Sequence, residues 1–532
     1  MIEIGNRGSW LAVGFLLIFS FLGITRDLWT PDEPREAGIS REMMHSPGVV
    51  PTLNGVHFIE KPPLYYWTVA ALFKVTGEPS VVVARSVSVV ASFLTLLLIY
   101  FWGSRDYSRT VGLVAAAGMA TSIQFLMTSR WIMTDPLLML FTTVAIWAGY
   151  DLICGHKRGR SLFLFYASMT LALWTKGLIG PVLFAAGLLV YLVARRSISP
   201  LWSLRPFLGA LIMLLATAGL MALIYFDGGY EAVREWFWVN HVQRFTDPQG
   251  TGHEQPVYRY IEYILIAVFP WWLPLIALFK PATWRDSAAA DHNLKVYLAK
   301  ACVGMFLILS ASTTKRGVYL MPMLPPLFLL LSSQAMAWWQ RQSAGALGGA
   351  AWWLQIGMVA VFALLPTVAT LIYLQIVDPV AILLLLLMVM LLLSVIIFSR
   401  RGDKPKAFIA LASSAFAGVI ILLLVTFPHV GKVKDMTPYL LQVKQRLPVG
   451  EPVYVTGDID ETLRGILPFV LDRDMVELEL TELYQQSPEC VVVQDKRAGE
   501  TAPQIESPYQ MVHERNYGPG RYFALWCHAD RN

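Results

Sequence analysis

The chain has 532 residues, of which 56% are hydrophobic and only 15% charged, and its mean hydropathy is +0.53. Soluble domains carry roughly 25% charged residues, so this composition excludes an ordinary soluble protein. The formal net charge is +5, but the basic residues are dispersed over many short segments, which speaks against a nucleic-acid partner.

Taken in chain order, apolar stretches long enough to cross roughly 30 Å of hydrocarbon fall at 10–24, 82–102, 111–128, 132–153, 162–176, 178–194, 206–226, 257–279, 297–312, 318–339, 352–376, 379–399 and 407–428. The sequence thus predicts an α-helical integral membrane protein with about thirteen transmembrane helices. The stretch 162–194 is divided by Lys176, Gly177 and Pro181, which mark a tight break. The first stretch resembles a signal peptide. Thr25, Arg26, Asp27, Leu28 and Trp29 follow it with no small-residue cleavage site, so it is read as an uncleaved span.

Charge tests this list. With the N-terminus inside, the loops predicted inside carry Arg105, Arg109, Lys157, Arg158, Arg160, Arg195, Arg196, Arg205, Lys280, Arg285, Lys295, Arg341, Arg400, Arg401, Lys404 and Lys406. The short loops predicted outside carry only Arg130, Lys176, Lys315 and Arg316. This is the positive-inside asymmetry, and it holds at every turn only for an odd number of helices.

Three pieces are left outside the membrane, all on the outer face: a first loop at 25–81, a second at 227–256, and the tail. The expected domains are a membrane domain over 1–428 and a small periplasmic α/β domain over 429–532. In the tail, 451–456 (EPVYVT), 490–494 (CVVVQ) and 522–527 (YFALWC) read as strands and 437–447 as an amphipathic helix. Cys490 and Cys527 both fall there. An oxidising compartment permits a bridge between them, and two unpaired strand cysteines fit as well. No phosphate-binding glycine loop is present, which counts against an ATP-driven pump.

Polar clusters at the outer ends of the spans hold the candidate chemistry. The first, Trp29-Thr30-Pro31-Asp32-Glu33-Pro34-Arg35-Glu36, places two adjacent carboxylates between prolines that stiffen the segment. Helix capping accounts for one of them easily and for both less so. A short helix over 35–44 follows. The second, at 57–67, sets Glu60 and Lys61 before Pro62-Pro63 and then Tyr65, Tyr66 and Trp67. Interfacial anchoring explains the aromatics. It leaves an ammonium suited to phosphate and a carboxylate suited to a ligand or a cation. The third, at 129–136, offers Asp135, either as a cap for the helix that Pro136 opens or as a second carboxylate in the cavity of Asp32. The fourth, at 236–245, sets His241 and Arg244 three apart, on one face of a helix. The guanidinium suits phosphate, and the imidazole suits a metal or a proton. His253 and Glu254 follow as loop residues. In the fifth, at 312–322, Lys315 and Arg316 lie at an outer helix end against the topological trend. An anionic ligand would explain them.

These motifs resemble the lipid-carrier-dependent glycosyltransferases of the GT-C superfamily, the protein O-mannosyltransferase-like group, and within it the bacterial 4-amino-4-deoxy-L-arabinose transferases that modify lipid A. The resemblance rests on WTPDEPREAGISREM at 29–43, FIEKPPLYYW at 58–67, WTKGLIGP at 174–181 and FWVNHVQRF at 237–245, in that order. It implies a GT-C fold in the inner membrane with the active site facing the periplasm. The implied activity is inverting transfer of a sugar from undecaprenyl phosphate to lipid A or another periplasmic acceptor. It also implies catalytic roles for Asp32 and Asp135, with Glu33 beside them, and a donor-phosphate site of Lys61, Lys315 and Tyr319, to which Arg244 and Arg35 add charge. Glu60 and His241 correspond to a metal-binding pair for a divalent ion, zinc or magnesium, which the chemistry does not require. One motif departs: the family's Lys-Leu-Pro-Thr-Tyr pattern reads KRGVY at 315–319. The alternatives are the same fold moving another sugar to a protein or envelope glycan, and a transporter or flippase for a lipid-linked substrate, which would show repeated halves.

Overall fold

The computed structural model describes residues 6–29, 31–243, 255–278, 289–341, 349–373, 375, 378–495, 505–517 and 522–529. They form two compact units: one of 1–24, 60–65 and 86–427, the other of 25–59, 66–85 and 428–532. The first outer loop, apart from its short piece at 60–65, therefore shares a unit with the tail.

The first unit is helical because a chain in hydrocarbon must satisfy its backbone internally. Eight helices among the described residues are long and apolar enough to cross a membrane: Val81–Asp106, Asp135–Ile153, Pro206–Gln243, Asn293–Ala311, Gly317–Trp339, Ala350–Tyr373, Pro379–Arg400 and Lys404–Lys432. Three more apolar helices, Arg7–Phe21, Arg109–Ala120 and Ile179–Arg195, are shorter. The chain is a multi-pass membrane protein.

Two expected spans are each broken in two. The stretch 111–128 comprises Arg109–Ala120 and Ile123–Thr128, and 257–279 comprises Arg259–Val268 and Trp272–Ala277. At the first break the Thr121 and Ser122 hydroxyls donate back to the carbonyls of Ala117 and Met119 at 2.8 Å each, a local alternative to the helical ladder. At the second, Pro270 supplies no N–H. The breaks satisfy each other: the Ile123 amide donates to the Phe269 carbonyl at 3.0 Å and the Trp271 indole to the Thr121 hydroxyl at 3.1 Å.

The second unit opens with the helix Asp32–His45 and a hairpin of β1 (Thr52–Leu53) and β2 (Val56–His57). The tail adds the strands β3 (Val453–Gly457), β4 (Met475–Glu477), β5 (Cys490–Asp495), β6 (Tyr509–Asn516) and β7 (Tyr522–His528) in one sheet of order β4-β3-β5-β7-β6. β3 runs parallel to β4 and β5, while β7 is antiparallel to β5 and β6. Central β5 is buried along Cys490–Gln494 because it has partners on both sides and covered faces. Register sets Cys490 opposite Cys527, and the two are disulfide-bonded. The helix Asp32–His45 lies on the helix Glu461–Leu471 through Gly38 and Gly465. A Cβ on Gly38 would come within 2.7 Å of the Gly465 Cα, so only glycine permits the approach.

Candidate functional site

In the first unit the polar side chains gather where three helix ends meet. Asp135 opens the helix Asp135–Ile153, with Pro136 at its first positions. The sequence leaves two roles for Asp135. The structure does not use it as a cap: Thr134 holds that place, and the nearly buried Asp135 carboxylate accepts a hydrogen bond from Lys176 Nζ at 2.6 Å. Lys176 is the last residue of Arg158–Lys176, and its ammonium sits 4.8 Å from the centroid of the Tyr319 ring. A cation held between a carboxylate and an aromatic face is fixed in place and shielded from water.

Gly177 follows with φ of 72°, and a Cβ there would lie 1.8 Å from His241 Nε2. The WTKG motif and the His241 segment are therefore one site, and the glycine is what lets the imidazole approach the chain. His241 belongs to Glu235–Gln243, which winds as a π-helix, a form frequent at functional sites. Its Nδ1 lies 2.6 Å from the Trp236 carbonyl, which assigns the proton to Nδ1 and the lone pair to Nε2. A carbonyl that holds Nδ1 in this way orients the ring and would turn Nε2 to a metal. Glu60, half-buried in its own segment, is the other expected ligand. Among the described residues no group of three or more His, Cys, Asp or Glu could hold a metal.

Lys315 is buried before the segment Gly317–Met323. Its ammonium donates to the carbonyls of Ser312 and, at 3.1 Å, Gln255, and burial pulls it below the ordinary lysine value. An ammonium has three donors, and these carbonyls take two. Lys61 is half-buried beside Glu60.

In the second unit, Asp32 begins the helix Asp32–His45 and accepts from Arg35 at 3.3 Å. The Arg35 guanidinium also reaches Glu36 at 3.0 Å and Glu461 at 2.8 Å, and lies 5.4 Å from the Phe58 centroid. Arg35, expected at donor phosphate, is shared among three carboxylates and orients Asp32. Glu33, expected beside Asp32 as a catalytic carboxylate, follows it in the first turn of the same helix. It is fully buried and bound by Arg85 at 3.0 Å, by Arg26 at 2.6 Å and by the Trp29 amide at 2.9 Å. Burial alone would raise its pKa. The charges of Arg26 and Arg85 and the bonds to Arg85 and Trp29 outweigh it and hold the carboxyl below its usual range. A carboxylate so enclosed ties the loop together.

Arg244, and with it the expected pairing of Arg244 with His241 on one face, lies outside the described residues, as do His253 and Glu254. Sequence reasoning missed Lys176 as a site residue, although it stands among the few basic residues of the outer loops, the signal that singled out Lys315. It also missed Arg26 and Arg85 as partners of Glu33, since nothing local ties position 85 to position 33.

The family described as dolichyl-phosphate-mannose-protein mannosyltransferase matches residues 60–222. The chain is 28% identical over 327 residues to an undecaprenyl phosphate-alpha-4-amino-4-deoxy-L-arabinose arabinosyl transferase of Edwardsiella ictaluri, covering 60% of this chain and 58% of that protein. It is also 28% identical over 329 residues to the protein of that name from Pseudomonas savastanoi, covering 61% and 60%. The chain thus spans under two thirds of the length of these relatives. The crystal structure of ArnT from Cupriavidus metallidurans bound to undecaprenyl phosphate superposes with a TM-score of 0.78 at 20% identity, covering 98% of both chains. The chain therefore resembles the lipid-carrier-dependent GT-C glycosyltransferases: it has the fold of ArnT and is similar in sequence to the aminoarabinosyl transferases.

Proposed function

We propose that the chain is an inverting glycosyltransferase that moves 4-amino-4-deoxy-L-arabinose from undecaprenyl phosphate to lipid A, or to another periplasmic acceptor, at the outer face of the inner membrane. The observation that carries this reading is the buried Asp135–Lys176 pair against Tyr319, beside His241, in a chain similar to enzymes named for this transfer. A pre-aligned cation at the edge of an apolar bundle suits a lipid phosphate.

In this mechanism an acceptor oxygen attacks the anomeric carbon. The bond from that carbon to the phosphate oxygen breaks, and its electron pair leaves on the lipid phosphate. Lys61, Lys315 and Arg244 stabilise the developing charge, and Lys176 with Tyr319 holds the site's shape. Each well-placed donor of this kind is worth about 3–4 kcal/mol. Asp32, oriented by Arg35, positions the acceptor. If that is a hydroxyl, Asp32 takes its proton; a lipid A phosphate is already anionic and needs no base. Where a divalent metal binds, Glu60 and His241 would hold it, and it would supply Lewis-acid stabilisation of the phosphate.

The test is incubation of the purified chain with labelled undecaprenyl phosphate-aminoarabinose and lipid A. Glycosylated lipid A together with free undecaprenyl phosphate is expected from the wild type, and Asp32→Asn should bind donor with little turnover. Movement of the labelled lipid between leaflets without a glycosylated product would overturn the reading.

A further inference from the structure

The bundle of the first unit contains an apolar cavity of about 640 Å³, lined by Phe15, Trp271, Phe328, Trp339, Trp352 and Phe416. Close-packed interiors hold few voids larger than a water, and hydrocarbon offers no water to fill one. Phe15, Ile276 and Ile409 border the cavity and are themselves exposed, so it communicates with the surface that faces lipid. A lipid chain is the filler at hand.

Two helices that line this cavity carry basic residues one turn beyond it. Leu113 lines it, and Arg109, one helical turn earlier, is exposed. Ile409 lines it too, and Lys406, one turn earlier, is exposed. Lys406 lies 5.7 Å from the Phe398 ring and bridges Asp403 at 2.8 Å. Around it Arg400, Arg401 and Lys404 leave cations in excess of the single acid, Asp403. An aromatic layer lies at the same level. The Trp352 indole donates to the Ser399 hydroxyl at 2.8 Å, and the Trp339 ring lies tilted, 4.9 Å from Trp352 and 5.7 Å from Phe408. Tryptophans at this depth mark the headgroup boundary, and basic pockets between helices there recognise anionic headgroups.

We propose that this cavity is a binding site for one anionic phospholipid, with an acyl chain among the Phe and Trp side chains and the phosphate at Arg109 and Lys406. The site is separate from the donor site of the preceding reading. By the charge pattern Arg109 and Lys406 belong to inside loops, whereas Lys176 and Lys315 belong to outside ones.

The test uses the full chain in detergent, offered phosphatidylglycerol and phosphatidylcholine in equal amounts and read by native mass spectrometry. Wild type should retain one phosphatidylglycerol with a preference of about tenfold or more, and Arg109→Gln with Lys406→Gln, both exposed, should remove most of it. Phosphatidylglycerol brominated on its acyl chain should quench tryptophan fluorescence more than brominated phosphatidylcholine does, which locates the chain without altering the core. Equal retention of the two lipids, an unchanged preference in the double variant, or equal quenching would overturn the proposal. So would displacement of the bound lipid by undecaprenyl phosphate, which would give the cavity to the donor's tail.

Discussion

At the scale of single residues, two buried ion pairs carry different work. Asp135 and Lys176 are partners at 2.6 Å. Removing one leaves the other charged and enclosed, at a cost of about 3–5 kcal/mol. Lys176→Met should therefore lower the unfolding midpoint strongly, and Asp135→Asn in the same chain should restore part of the loss. Turnover should stay low in that double variant, because the cation at Tyr319 is still missing. Full recovery of turnover would make the pair purely structural. Glu33 is read out by pH. Its folded-state pKa lies below the usual range despite burial, through Arg26 and Arg85. Its contribution is therefore complete above the unfolded carboxyl value of about 4.3 and is lost as pH falls toward the folded value. Glu33→Gln should be less stable than wild type at neutral pH and lose less on acidification. Identical acid profiles for the two proteins would refute the ion-pair role.

At the scale of elements, legibility followed locality. The apolar helices were readable because a membrane span announces itself in one continuous stretch. β3, β5 and β7 were readable for a similar reason: 453–457, 490–495 and 522–528 are dense in β-branched and aromatic residues. β4 is three residues long, and β6 is an edge strand with Glu514 and Arg515, so neither carries a clear alternation. In the candidate site the sequence singled out Asp135, His241 and Lys315 one by one, but not Lys176 and none of the pairs. Asp135 and Lys176 are 41 positions apart, and Arg85 and Glu33 are 52 apart. Only folding brings such residues into contact. The tail offers a test at this scale. The Cys490–Cys527 bond joins the central strand to β7. Cys490→Ser should cost about 2–4 kcal/mol and make 428–532 more sensitive to limited proteolysis. Unchanged resistance would mean the sheet is held by its apolar core alone. Gly465→Ala should weaken the packing of Asp32–His45, because its Cβ would fall 2.3 Å from the Pro34 carbonyl oxygen.

At the scale of the whole molecule, the proposed chemistry depends on sidedness, and the chain's own cysteines can report it. The charge pattern puts the end of the helix Asp135–Ile153, where Cys154 is exposed, on the inside. The same pattern puts the tail outside, where an oxidising compartment would sustain the Cys490–Cys527 bond. Cys302 is buried and should stay silent. In intact spheroplasts a membrane-impermeant maleimide should therefore leave Cys154 unlabelled until the membrane is permeabilised. An impermeant reductant added from outside should expose two labelled positions, at 490 and 527, with the membrane still closed. If Cys154 were labelled in sealed spheroplasts, or if the tail cysteines could be reached only after lysis, the orientation would be inverted. The polar cluster of Asp135, Lys176 and Tyr319 would then face the compartment where nucleotide-linked sugars are made, and transfer from a lipid carrier at the outer face would have no donor within reach.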